Sequence, residues 1–356
     1  MEKERVIYFD FLRIFAAFAV VVLHTSAQNF YKVNVFSLKW SFFNIGDSVV
    51  RWGVPIFVMI SGALFLGQET IDIKSLYAKN IKHLFVSFVV WSLICVIVEK
   101  IQNPTMTKGE MVQQFIKGHF HLWFLWMLIG IYMMLPLLNE IVKNTTFVKY
   151  FLLLALVFAS VLPTIRQLYE SFRPFISDER ILTVINALFK NVTVMNVCMV
   201  FGYTGYFVLG YYLNNIEINL KAERIIYALA VIGFAGTILL TAYFSRKTGT
   251  ADTGFYNNMR VNVLLESIGI FTFFKCRISK INVKHKERLT FLSKCSFGCY
   301  LVHTLVLQSL SRYYGINTKS LPASISVVVI AAVVFILSYF ISIILNRIPF
   351  VKKYFV

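Results

Sequence analysis

Residues 8–26, YFDFLRIFAAFAVVVLHTS, form an apolar run of the length that crosses a bilayer as one helix, about 20 residues. Arg13 and His24 interrupt its character. Burying either in lipid costs free energy, so each needs a partner or a task. They lie eleven residues apart, close to three whole turns, and so project from nearly one face with a rise of about 16 Å between them. Asp10, one turn before Arg13, is placed to neutralise it. Singly, the two residues read as an arginine reaching to the interface and a histidine bonded between helices. As a pair on one stripe they suit a ligand with an anionic head at one membrane face and a reactive end in the bilayer. Coenzyme A thioesters have this form, with phosphates at one end and a thioester at the tip of a long arm.

The rest of the chain is built in the same way. Of 356 residues, 58% are hydrophobic and only 15% charged, and 35 are phenylalanine. A soluble domain carries about 25% charge. The composition excludes that class and gives a polytopic membrane protein. Spanning segments are expected at roughly 8–28, 42–66, 82–99, 121–139, 147–163, 186–213, 225–244, 257–274, 291–311 and 322–346. The sixth contains GYTGYFVLGYY and is expected to tilt or kink. The fold class is therefore all-α, with about ten transmembrane helices and both termini on the cytoplasmic side. The loop KCRISKINVKHKER, 275–288, is the strongest cytoplasmic signal.

The net charge of +18 lies mainly between the apolar segments. It reads as topogenic charge and contact with anionic membrane lipids, not as a nucleic-acid footprint. The five cysteines show no CxxC spacing, so neither a disulfide framework nor a metal site is expected. The start, MEKER, leads into an apolar run without a small-residue cleavage site, which predicts a retained helix. The longest outer loop, about 164–185, carries Arg166, Arg173 and Arg180 among aromatics.

Other polar residues stand where lipid-facing or core positions are expected. Asp47 and Arg51, four apart, should pair. In SGALFLG, Ser61, Gly62 and Gly67 allow a backbone or a ligand to come close. Lys74, Lys79 and Lys82 follow, as topogenic charges or as phosphate contacts. HFHLWFLWM places His119 and His121 beside the aromatic-belt residues Trp123 and Trp126; two residues apart on a helix, the histidines would not share a face. Glu266 is buried in YNNMRVNVLLESIGIFTFF, a candidate acid, base or orienter of a histidine. His303 falls about halfway along the ninth segment. By topology His24, His121 and His303 converge toward the outer side, while Arg13, Ser61 and Lys74 gather toward the inner.

These stretches also carry a resemblance. DFLRIFAAFAVVVLH is similar to the Arg-x10-His signature of acyltransferase family 3, with Arg13 and His24 in place. VPIFVMISGAL resembles its Phe-x-x-x-Ser-Gly segment, HLWFL (121–125) its His-Leu-Trp-Phe-Leu stretch, and SFGCYLVH (296–303) its Ser-x-Gly-x-Tyr-Leu-x-His stretch. The resemblance covers essentially the whole chain and implies a single membrane-embedded domain, 1–356, in a bacterial cell membrane. It implies an acyl group, most often acetyl, passed from cytoplasmic acyl-CoA to a hydroxyl of an extracytoplasmic or lipid-linked glycan, without a metal. Arg13, Ser61, Gly62 and Lys74 would then hold the donor, acetyl-CoA or another acyl-CoA. His24, Arg13, Glu266 and His303 would carry the chemistry, and His121, Trp123 and Tyr300 would meet the acceptor. Some members carry arginines after the Ser-Gly pair; this chain has LGQETIDIK, so Lys74 stands in as a point charge without the guanidinium fork. Two other functions use the same residue types. A transporter of a small polar metabolite also buries Arg, His and Glu along its path, and a membrane ligand-binding domain would use them without chemistry.

Overall fold

A computed structural model describes residues 6–176, 179–195 and 197–355. The side chains of Arg180 and Cys198 lie outside the described residues. Among its described residues the chain has helices as its only regular secondary structure. It runs α1 (Ile7–Ala27), α2 (Leu38–Ser48), α3 (Gly53–Phe65), the single turn α4 (Ile73–Ser75), α5 (Lys82–Gln102), α6 (Lys108–Lys117), α7 (Trp123–Val142) and α8 (Thr145–Leu154). Then come α9 (Leu162–Phe172), α10 (Glu179–Val194), α11 (Val197–Asn215), α12 (Leu220–Thr248), α13 (Val261–Cys276), α14 (Lys286–Tyr314), α15 (Ala323–Arg347) and α16 (Pro349–Tyr354). Among the described residues, eight helical stretches are long and apolar enough to cross a membrane: α1, α2–α3, α4–α5, α6–α7, α8–α9, α12, α14 and α15. The chain is thus a multi-pass membrane protein.

Several segments differ in detail from the hydropathy reading. The segment at 42–66 is two helices, separated by turns at Val49–Trp52. Pro55 lies in the first turn of α3 and has no N–H to offer a carbonyl four residues back, so a helix restarts there but does not run through. The segment at 186–213 spans parts of α10 and α11, and α11 kinks at Gly202, with φ −46° and ψ −112°. The segment at 257–274 gives α13, which has 16 residues.

Helix α1 lies inside the bundle, packed on α2, α3, α13, α14 and α15. Its inward face is Leu12, Ala16, Ala19 and Val20, all nearly inaccessible. Two glycines bring α3 and α11 into backbone contact: a Cβ on Gly62 would run into the Phe207 carbonyl, and one on Gly210 into the backbone of Met59. In lipid such small-residue faces replace the hydrophobic drive that is missing there. The end of α11 is closed by Lys275, whose Nζ donates to the carbonyls of Leu213 (2.5 Å), Asn214 (3.0 Å) and Ile216 (2.5 Å). A cation is favourable at that pole of the helix dipole.

Candidate active site

The first part of the site is a cavity of about 240 Å³ at the Arg13 end of the bundle. Arg13 enters it from α1, Phe57 and Ser61 from α3, His83 and Leu84 from α5, Phe124, Leu128 and Tyr132 from α7, and Ser296, Phe297 and Tyr300 from α14. Asp10 steadies Arg13 across one turn (3.7 Å), and the arginine side chain keeps 28% of its surface open. Asp10 itself accepts from Thr290 Oγ1 at 3.1 Å. That bond puts the start of α14, and the basic loop before it, at the same end as Arg13. The Ser61 hydroxyl donates to Phe57 O at 2.9 Å. The structure sets Gly62 against α11, outside this cavity's lining, and Lys74 is exposed on α4, also outside it. His83 belongs to the cavity wall, its ring 5.9 Å from that of Phe297.

Beyond this cavity lies a layer of rings. Tyr300 closes it: its hydroxyl donates to the His121 carbonyl, and its ring lies 5.6 Å from His121 and 6.0 Å from His303. His24 and His303 face each other with ring centroids 5.1 Å apart, and His121 lies 5.6 Å from His303. The helix register explains the layer. Ser296, Tyr300 and Thr304 are four residues apart and His303 is three after Tyr300, so α14 presents them on one stripe.

Hydrogen bonds assign the protons in this layer. His303 Nδ1 is 2.6 Å from Tyr300 O, so Nδ1 carries the hydrogen. The lone pair is left on Nε2, which has no hydrogen-bond partner among the described residues. His121 Nε2 donates to Leu301 O at 3.3 Å, which makes its Nδ1 an acceptor. His119 Nδ1 lies 2.7 Å from that nitrogen and Thr304 Oγ1 3.3 Å from it. Gln308 Nε2 in turn reaches His119 Nε2 at 3.2 Å. The row Gln308, His119, His121, Leu301 is thus consistent, with one donor and one acceptor at each contact and one hydrogen on each ring. The two histidines meet because residues 118–122 are not α-helical. Gly118 has φ +73°, and a 3₁₀ turn covers Phe120–Leu122.

On the far side of the layer a second cavity, about 340 Å³, lies between α5, α6 and α14. It reaches the layer through His119 and Phe120, and the Phe120 ring is 5.3 Å from His24. Two candidates sit apart from this line. Glu266 is fully buried and accepts from Thr237 Oγ1 at 2.5 Å; none of its described bonds reaches a histidine. Trp123 is 43% exposed, its ring 5.7 Å from Tyr203. Asp47 and Arg51 pair at 2.5 Å, with the guanidinium 3.9 Å over the Tyr256 ring. The stretch expected as a loop at about 164–185 is largely helical: Arg166 lies on α9 and pairs with Glu170 one turn on at 2.8 Å.

Reading the sequence alone missed His83, Phe120 and Gln308 as site residues. His83 sits among lysines in KNIKHLF and looks like part of a topogenic cluster. For Gln308 the signal was present, eight residues after Tyr300 and so on nearly the same stripe. The arrangement as a whole offers a basic, partly polar cavity at one end, a polar cavity at the other, and imidazoles between them. That is what transfer of a group between two separately bound molecules requires. A family model for an acyltransferase domain matches residues 6–347. No curated protein and no solved structure matches the chain.

Proposed function

The chain belongs to this acyltransferase family, and on that footing we propose that it moves a small acyl group, acetyl first, from cytoplasmic acyl-CoA to a hydroxyl of an extracytoplasmic or lipid-linked glycan. The observation that carries the reading is the contact of His24 with His303 between two cavities. The Arg13 end takes the donor. It shares that end with the basic loop 275–288, which the positive-inside rule places in the cytoplasm. Arg13 pairs with CoA phosphate, and the pantetheine arm runs past Ser61 and Phe124 toward Tyr300.

His24 is the acyl carrier in this mechanism. One imidazole nitrogen attacks the thioester carbonyl, and the tetrahedral intermediate collapses with cleavage of the C–S bond. His303 Nε2 takes the proton released from His24 and returns it to the departing thiolate. In the second half the acceptor oxygen attacks the acyl-imidazole carbon, its proton passes to His303, and the C–N bond breaks, with the proton returning to His24. The balance is one thioester and one alcohol to one ester and one thiol. The packed rings around His24 favour a short acyl chain.

The test is labelling by radioactive acetyl-CoA without acceptor, alongside acetyl-CoA binding by calorimetry. Wild type should bind and become labelled, Arg13→Ala should bind poorly, and His24→Ala should bind without label. Label retained by His24→Ala, or no binding by folded wild type, would end this reading.

A further inference from the structure

The second cavity has a composition that the acyl donor does not explain. We infer that it is a subsite for a neutral, polyhydroxylated acceptor, a sugar unit without phosphate; this rests on the acyltransferase reading above. Glu99 and Gln102 enter it from α5, Gln114 from α6, His119 and Phe120 from the turn before α7, and Gln308 from α14. Amides both donate and accept, as sugar hydroxyls do, and a carboxylate binds two neighbouring hydroxyls at once. Gln114 Nε2 already donates to Glu99 Oε1 at 3.1 Å, which fixes the carboxylate in place. Gln102 Nε2 is buried without a hydrogen-bond partner among the described residues, a donor whose desolvation none of them offsets. Phe120, 58% exposed, offers a flat apolar ring beside these polar groups.

Charge points the same way. Lys117 is the cation in the lining, and Glu99 opposes it. Lys100, nearby, is turned away and donates to the carbonyls of Pro104 and Met106, both at 2.8 Å. A phosphate-bearing acceptor would meet Glu99. The guanidinium beside this cavity, Arg312, lies outside the lining and donates to the Gln102 carbonyl. The volume, about 340 Å³, falls within the range of small-molecule sites, roughly 300–1,000 Å³. Position completes the case, because the two residues at its floor, His119 and Phe120, are the ones that touch the layer. A hydroxyl held there stands beside His24.

Saturation-transfer NMR on the purified full chain tests this with three probes: methyl β-glucoside, di-N-acetylchitobiose and glycerol 3-phosphate. Wild type should transfer saturation to at least one neutral saccharide and not to glycerol 3-phosphate. Glu99→Gln, which keeps the side-chain size and an acceptor for Gln114, should lower the signal at least five-fold, and Gln102→Ala likewise. Signal from neither saccharide, signal undiminished in both variants, or signal from glycerol 3-phosphate alone overturns the assignment. Acetyl-CoA binding measured on the same samples separates the two readings. Donor binding without saccharide signal leaves the acyltransferase reading standing and sinks the subsite; saccharide signal without donor binding does the reverse.

Discussion

Replacing His303 by Asn separates the chemistry of this residue from its structural bond. The Asn amide nitrogen branches from Cγ just as Nδ1 does, so it can still donate to Tyr300 O, now at 2.6 Å from Nδ1. That bond is worth about 1 kcal/mol net and should survive. Lost are the two ring atoms beyond it, Cε1 and Nε2, which should lower stability by on the order of 1–2 kcal/mol through the cavity left behind. Also lost is the Nε2 lone pair of a ring whose centroid lies 5.1 Å from that of His24. A positioned general base is worth about 10²–10⁴ in rate, or roughly 3–5 kcal/mol of barrier. The expected result is a protein that binds acetyl-CoA with wild-type affinity, unfolds slightly earlier, and transfers acetyl at least about 100-fold more slowly. Transfer is read as acceptor-dependent release of CoA thiol, with stability from a thermal melt on the same sample. Transfer within a few-fold of wild type would refute the assigned protons and the role given to Nε2.

Other perturbations follow from the same geometry. Arg13→Lys should weaken acetyl-CoA binding less than Arg13→Ala but still about ten-fold, because an ammonium lacks the fork that meets phosphate; calorimetry reads this directly. Tyr300→Phe removes the hydroxyl held by the His121 carbonyl and should lower turnover about ten-fold with donor affinity unchanged, a kcat effect in steady-state kinetics. Gly210→Ala sets a methyl group against the backbone of Met59 and should cost about 1–3 kcal/mol, seen as an earlier melt. Lys275→Met leaves three carbonyls at the end of α11 without their donor and should destabilise by about 1.5–3 kcal/mol, with transfer by the folded fraction unaltered.

Much of the site's axis was legible in the sequence because it lies along single helices. The eleven-residue spacing of Arg13 and His24 needs only helical periodicity, and so does the spacing from Tyr300 to His303. Topology alone then suggests that His24, His121 and His303 share one depth, and the structure brings their rings within 5.1–5.6 Å in the pairs His24–His303 and His121–His303. What escaped depends on departures from the helix. His119 and His121 meet nitrogen to nitrogen only because Gly118 turns the chain with a positive φ before α7 begins. The Ser61–Gly62 pair was ambiguous for a different reason: periodicity does not tell which neighbour takes the open face of a glycine. In the structure Ser61 lines the cavity and Gly62 meets Phe207. Glu266 reads from sequence as a partner for a histidine, yet its hydrogen bond goes to Thr237, a residue of another helix that no local pattern identifies.

The layer of rings between the two cavities has an electrical consequence. Carrying a charge through a membrane held at 100 mV involves about 2.3 kcal/mol of work for each elementary charge. Coenzyme A bears its charges on phosphates, and on the proposed route these stay beside Arg13 while only the acyl group goes past Tyr300. An acetyl group is uncharged. The group that crosses therefore does no work against the field, and the rate of transfer should be the same in energised and de-energised vesicles.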